Sequence, residues 1–82
     1  MNAEGFALFD TAIGACGIAW SAWGIAGVQL PEAGEGATRS RMQRRFAQVP
    51  EAPPPPQVQA ACEAIRALLA GEPRDLAELV LD

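Results

Sequence analysis

Residues 11–30, TAIGACGIAWSAWGIAGVQL, constrain the fold most because they alternate short apolar runs with turns closed by glycine. Residues 6–10, just before them, are rich in aromatic side chains, which favours a strand. Gly14 can supply the positive backbone angle that tight hairpins often need, and Gly24 closes the next turn. We therefore predict an antiparallel meander of three strands, over residues 6–10, 15–20 and 25–30.

The alternation within these strands assigns their side chains to two faces of the sheet. In the second strand one face carries Cys16, Ile18 and Trp20, and the other carries Gly17 and Ala19. Because the second face is made of small residues, we expect a helix or another strand to approach it closely. The same period sorts the third strand into two sets, Ala26, Val28 and Leu30 on one side and Ile25, Gly27 and Gln29 on the other.

Two helices are predicted after the meander, over residues 37–48 and 57–70. The buried side of the first is marked by side chains about one turn apart, at Met42, Phe46 and Val49. The second has a longer apolar stripe, made of Val58, Ala61, Cys62, Ile65, Leu68 and Leu69. Pro56 suits its first turn and Gly71 its left-handed end. The proline-rich residues 50–56 between the helices are interpreted as a stiff, extended spacer.

Residues 76–82 contain the apolar run Leu-Val-Leu, which favours a strand covered on both faces. Since a strand that rejoins a sheet after a helix commonly runs parallel to its neighbour, we expect this fourth strand to be parallel to the first. Residues 1–82 are thus predicted to form a single α+β domain.

The charge pattern gives two interpretations for a group of arginines on the first predicted helix. They are Arg39, Arg41, Arg44 and Arg45. The first interpretation is a solvated helix face, and the second is a weak contact with DNA phosphate. The net charge of −4 and a pI near 4.6 argue against a strong grip on nucleic acid, which needs a basic footprint.

No catalytic constellation is visible in the sequence. The chain contains no histidine, so the Ser–His and Cys–His pairs of nucleophilic catalysis are excluded. Cys16 and Cys62 are expected to be small core residues, and we expect neither a metal nor a cofactor. The apolar runs are shorter than a membrane span, and no basic stretch leads the N-terminus, so a cytoplasmic location is expected.

Two short motifs resemble the N-terminal domain of the methylated-DNA–protein-cysteine methyltransferases, the alkylguanine repair proteins. In that family a strand leads to a Thr-Pro-[Ile/Leu]-Gly turn, matched here by Thr11, Ile13 and Gly14. The third strand of the family reads Gly-Leu-x-x-[Leu/Ile]-x-[Phe/Leu], matched by Gly24, Ile25, Val28 and Leu30. Ala12 replaces the turn proline, and Leu69-Ala70 replaces a Tyr-Phe pair. The resemblance implies a ribonuclease H-like fold.

The resemblance also implies a role. The family transfers the alkyl group of 6-O-alkylguanine to its own cysteine, in a Pro-Cys-His-Arg motif of a second, C-terminal domain that flips the damaged base out of the duplex. That motif is absent from this sequence, and Ser21 and Ala26 stand where some relatives bind a structural zinc. We therefore expect a non-catalytic N-terminal domain, inactive alone, whose partner is the missing catalytic domain and, through it, alkylated DNA.

Two other hypotheses remain open at this level. The chain could be a stand-alone module that pairs with a separate protein through an apolar surface. Alternatively, it could bind nucleic acid weakly through the four arginines of the first helix.

Overall fold

A computed structural model describes residues 3–71 of the chain. Its five elements are β1 (Gly5–Thr11), β2 (Gly14–Ser21), β3 (Gly24–Gln29), α1 (Glu35–Arg45) and α2 (Pro56–Leu69). The strands form one sheet in the order β1-β2-β3, with both pairs antiparallel. The predicted α+β meander with two helices is confirmed. The predicted fourth strand, residues 76–82, lies outside the described residues.

Both hairpin turns use a hydroxyl and a glycine in the same way. The Thr11 hydroxyl accepts a hydrogen bond from the Ile13 N–H (3.2 Å) and donates one to the Gly14 carbonyl (2.7 Å). In the second turn the Trp23 N–H donates to the Ser21 hydroxyl at 3.1 Å. Gly14 has φ 125° and Gly24 has φ 139°, so each glycine adopts a backbone angle that other residues rarely take. This confirms the expected positive angle at Gly14.

A bulge in β3 changes the faces of its first residues. Ala19 pairs with Gly27 and Trp20 pairs with Ile25, which leaves Ala26 as the extra residue. Because paired residues point to the same side of a sheet, Ile25 shares the face of Trp20 and Gly27 shares the opposite one. The prediction that Ile25 and Gly27 lie on one side was therefore wrong, since strict alternation assumes a regular ladder.

The two helices cover opposite faces of the sheet. Against one face, α2 packs Val58, Ala61 and Cys62 in a cluster with the side chains of Ala7, Phe9, Cys16, Ile18, Trp20 and Ile25. On the other face, Met42 of α1 packs against Phe6 and Ala19, and Phe46, just after the end of α1, packs against the same cluster. The expected close approach is confirmed, because a methyl group on Gly17 would lie 2.6 Å from Cγ of Met42.

The helix bounds differ slightly from the predicted ones. Helix α1 starts two residues earlier and ends three residues earlier, because Gln48 has φ 68° and the chain leaves the helix after Arg45. Val49 therefore lies beyond α1 but still packs against the same cluster. Helix α2 is shifted by one residue at each end, with Pro56 in its first turn and Gly71 at φ 89° after its end.

Residues 50–52 pair with the outer edge of β1. The Phe6 N–H donates to the Pro50 carbonyl at 3.0 Å, and the Ala52 N–H donates to the Phe6 carbonyl at 2.9 Å. The bridge between Phe6 and Glu51 is parallel. The start of the proline-rich segment is therefore attached to the sheet, whereas its composition alone predicted only a spacer between helices.

Candidate functional site

Arg39 of α1 is held by two carboxylates. Its Nε donates to Oε1 of Glu51 at 2.9 Å and its Nη2 to Oε2 at 3.2 Å, a two-point contact. Its Nη1 also donates to Glu35 at 3.3 Å. The hydrogen bond with Glu51 raises the pKa of the Arg39 guanidinium. Because its charge is already paired, Arg39 is poorly suited to binding phosphate.

Arg45 is held by the third strand. Its Nη1 donates to the Val28 carbonyl at 3.1 Å and to Oε1 of Gln29 at 3.0 Å. Its guanidinium carbon lies 5.1 Å from the centre of the Phe46 ring, within the range of a cation–π contact. Arg45 therefore fastens α1 to the outer edge of β3.

Arg41 and Arg44 are the other two of the four arginines predicted to contact phosphate. Both are exposed, and they lie three positions apart on α1, so they share one face of the helix. Neither makes a hydrogen bond or ion pair within residues 3–71. The structure thus divides the four predicted arginines into two that bind the protein itself and two that face solvent.

Among residues 3–71, the outer edge of β1 has no pairing partner at Leu8. The N–H and C=O of alternate residues in a strand point to the same edge, so those of Leu8 point outward as those of Phe6 do. Among residues 3–71, no hydrogen bond reaches these Leu8 groups. If the parallel pairing of residues 50–52 with β1 continued, the N–H of residue 54 would donate to the Leu8 carbonyl. Pro54 has no N–H, so the pairing cannot continue in this way.

Arg66 of α2 caps the next outward carbonyl of β1. Its Nε donates to the Asp10 carbonyl at 2.7 Å, and its guanidinium also pairs with the Glu63 carboxylate. Between this cap and the prolines lies an open groove of about 720 Å³ that we call the β1 groove. Its lining residues are Leu8, Phe9, Asp10, Pro54, Pro56, Gln59, Ala60, Cys62, Glu63 and Arg66.

Neither Leu8 nor Arg66 stands out in the sequence as a functional residue. The available signal was the run of prolines beginning at residue 53, which cannot continue a ladder along β1. That signal could be used only once residues 50–52 were placed beside the strand. The position of Arg66 depends on how α2 crosses the sheet, which its own periodicity does not specify.

Both cysteines are buried in the cluster between α2 and the sheet. Cys16 is fully buried, and Cys62 is 5% exposed. Burial raises the pKa of the Cys62 thiol to about 11, and the nearby Arg66 only partly opposes this shift. Since the thiolate is the reactive form of cysteine, the geometry makes Cys62 a poor nucleophile at neutral pH.

Within residues 3–71, no three or more histidine, cysteine or acidic side chains are grouped in a way that could hold a metal ion. No helix in that range combines the length and apolar character of a membrane span.

Comparisons with known proteins do not identify a relative. No family model matches the chain, and neither a curated protein nor a solved structure is significantly similar to it.

Proposed function

We propose that this chain is the N-terminal, non-catalytic domain of a DNA-repair methyltransferase that removes alkyl groups from 6-O-alkylguanine. In this proposal the fold is ribonuclease H-like, and residues 76–82 form a fourth strand parallel to β1. The domain supports and orients a separate catalytic domain, which binds the alkylated DNA in the cytoplasm. The chain itself contributes no acceptor cysteine.

The open edge at Leu8 is the observation that carries the proposal. A ribonuclease H-like sheet needs a fourth strand beside the first, and Leu8 offers an outward N–H and C=O at that place. The prolines end the pairing of residues 50–52 before Leu8, and the β1 groove lies directly alongside. The turn at Thr11 and Gly14 adds support, because its hydrogen bonds give a physical reason for the threonine and glycine of the motif.

The first test is the coding sequence immediately downstream of Asp82. The proposal expects a Pro-Cys-His-Arg motif there, and the longer protein should take up one benzyl group per chain from a benzylguanine substrate. The 82-residue chain is the control, and it should take up none. An adduct on Cys16 or Cys62, or a downstream sequence without the motif, would contradict the proposal.

The second test concerns the fourth strand. In an NMR spectrum of the 82-residue chain, the Leu8 amide should exchange slowly with solvent and show cross-strand contacts to residues 76–82 with parallel spacing. A chain truncated after Gly71 should lose this protection at Leu8, while Ile18 in the central strand stays protected. Antiparallel contacts, or a fast-exchanging Leu8 amide in the 82-residue chain, would overturn the proposed topology.

A stand-alone interaction module is the second candidate function. The observation in its favour is a set of large apolar side chains at the surface, namely Ile13, Trp23, Val28 and Leu30. Single exposed apolar residues are common in monomeric proteins, and a contiguous group of them can mark a docking surface. Ile13 and Trp23 lie on different hairpin turns, at opposite ends of β2. A clean monomer on size exclusion that binds no hydrophobic dye would argue against this function.

A further inference from the structure

A small pocket lies at the end of the sheet where the turn between β2 and β3 meets the start of α2. Its volume is about 130 Å³, and two tryptophans, Trp20 and Trp23, are among its lining residues together with Glu4. Ile25 and Val58 supply apolar wall. The pocket is separate from the β1 groove and shares no lining residue with it.

One indole of this pocket is fixed by the backbone beneath it. Trp20 is 6% exposed, and its ring lies so close to Gly5 that an added methyl group there would be 2.6 Å from Cζ2 of the ring. Such an approach is open only to glycine. The wall that Trp20 contributes is therefore rigid.

The second tryptophan, Trp23, is exposed to solvent at the tip of the β2–β3 hairpin. Trp23 is 71% exposed, although an indole is among the larger apolar surfaces that a side chain can present. The backbone N–H of Trp23 donates a hydrogen bond to the Ser21 hydroxyl. This bond stabilises the turn on which Trp23 lies. An exposed tryptophan on an ordered turn, beside a second tryptophan, is a feature that folding alone does not require.

The charged residues around the pocket indicate which kind of ligand it would favour. Glu4 is the one ionisable residue among the described lining residues, and its backbone N–H donates to the Trp20 carbonyl at 2.7 Å. Among residues 3–71 no arginine lines the pocket, and the chain has no lysine. Indole faces attract cations, and a carboxylate close to them would add to that attraction. A neutral apolar ligand would gain nothing from Glu4.

We propose that Trp20, Trp23 and Glu4 form a binding site for a quaternary ammonium group, such as that of choline or of a trimethylated lysine. The methyl groups contact the indoles and the apolar wall, and the positive charge faces the carboxylate. This inference is independent of the proposed role in DNA repair, because none of its residues belongs to the turn motif at Thr11 or to the β1 groove.

The test uses the 82-residue chain and compares choline with its neutral carbon isostere, in which a tert-butyl group replaces the trimethylammonium. Choline should shift the indole N–H signal of Trp23 saturably and change the tryptophan fluorescence. The isostere should bind about tenfold more weakly, since it lacks the cation–π and charge terms. Equal binding of the two compounds, or no saturable shift with choline, would overturn the proposal.

Three variants sharpen this test. Trp23→Ala should abolish the choline shift at Trp20, and Glu4→Gln should weaken choline binding several-fold while leaving the isostere unchanged. Ile13→Ala is the matched control, because Ile13 is 54% exposed at the tip of the other hairpin and outside the pocket. Retained binding in Trp23→Ala, or an equal loss in Ile13→Ala, would overturn the site.

A peptide bearing trimethyllysine, run beside free choline, identifies the source of the group. Tighter binding of the peptide than of choline assigns the site to a protein partner, and tighter binding of choline assigns it to a small molecule. An unmethylated lysine peptide is the control and should bind more weakly, because its smaller and more strongly hydrated ammonium group makes less contact with the indoles.

Discussion

Arg66 of α2 donates a hydrogen bond of 2.7 Å to the backbone carbonyl of Asp10, 56 residues earlier in the chain. Arg45 of α1 makes the equivalent contact with the Val28 carbonyl at the opposite edge of the sheet. Exposed strand edges are templates for unwanted pairing with other chains. Each outer strand therefore has an edge carbonyl occupied by an arginine from a helix.

Replacing Arg66 by methionine should destabilise the fold while keeping much of the side-chain bulk. The Asp10 carbonyl would lose its donor, and the expected decrease in the free energy of unfolding is about 0.5–1.5 kcal/mol. Urea denaturation followed by circular dichroism measures this change. Arg44→Met is the control and should stay within about 0.5 kcal/mol of the wild type, since Arg44 is exposed and unpaired within residues 3–71.

Thr38 connects α1 to the sheet through its hydroxyl. The hydroxyl donates to the Ala15 carbonyl at 3.1 Å and accepts from the Glu32 N–H at 3.0 Å, and the residue is fully buried. Thr38→Val keeps the shape but leaves both partners unsatisfied, so unfolding should become easier by about 1–3 kcal/mol. Thr38→Ser keeps the hydroxyl and should therefore lose less stability than Thr38→Val. A larger loss in Thr38→Ser than in Thr38→Val would show that the methyl group, not the hydrogen bonds, holds this contact.

Gly17 and Gly36 should respond to alanine in opposite directions. Gly17→Ala forces a methyl group into Met42, and the expected loss of stability is about 1–3 kcal/mol. Gly36 lies within α1 with open space around it, so Gly36→Ala should add about 0.4–1 kcal/mol by favouring the helix. Thermal melting compares the two. In a Met42→Val background the penalty of Gly17→Ala should shrink, because the side chain that it meets is shorter.

The Cys62 thiol should make the fold less stable in alkali. Burial raises its pKa in the folded state to about 11, above the ordinary value of 9.0 that applies when the chain is unfolded. Between pH 9 and pH 11 the unfolded chain releases this proton and the folded chain keeps it, so stability falls as the pH rises through that window. Denaturation at several pH values measures the slope. Cys62→Ala should lose part of the alkaline decrease, and an unchanged slope would contradict the assignment.

The two solvent-facing arginines provide a test of weak phosphate binding. If α1 touches DNA, the double variant Arg41→Gln and Arg44→Gln should remove the binding seen at low salt. The salt dependence should decrease as well, because fewer phosphates are neutralised and fewer counterions are released. The matched control is Arg39→Gln, whose guanidinium is paired with Glu51 and Glu35. Fluorescence anisotropy with a labelled duplex at increasing salt measures both, and binding that does not depend on salt would dismiss the contact.

Several features of the fold could be predicted from local patterns. The turns at Gly14 and Gly24, the small face of β2 and most of the stripe of α2 follow from short-range chemistry, and the structure confirms them. Within residues 3–71, Leu68 is the member of the predicted stripe that does not join the core cluster, and Ala64 and Ala67, outside that stripe, are buried. The faces of β3 could not be predicted, because one extra residue, Ala26, reverses the alternation and leaves no mark in the composition. The pairing of residues 50–52 with β1 could not be predicted either, since it joins segments more than forty positions apart.

For the candidate sites, the amino-acid sequence specifies which residue types are present. It excludes histidine chemistry, places four arginines on one helix and limits the thiols to Cys16 and Cys62. The three-dimensional arrangement shows which arginines are already paired, that Leu8 lacks a pairing partner among residues 3–71, and that two tryptophans and Glu4 line one pocket. Residue type and period are local properties, whereas hydrogen bonds and pockets depend on contacts between residues distant in the chain.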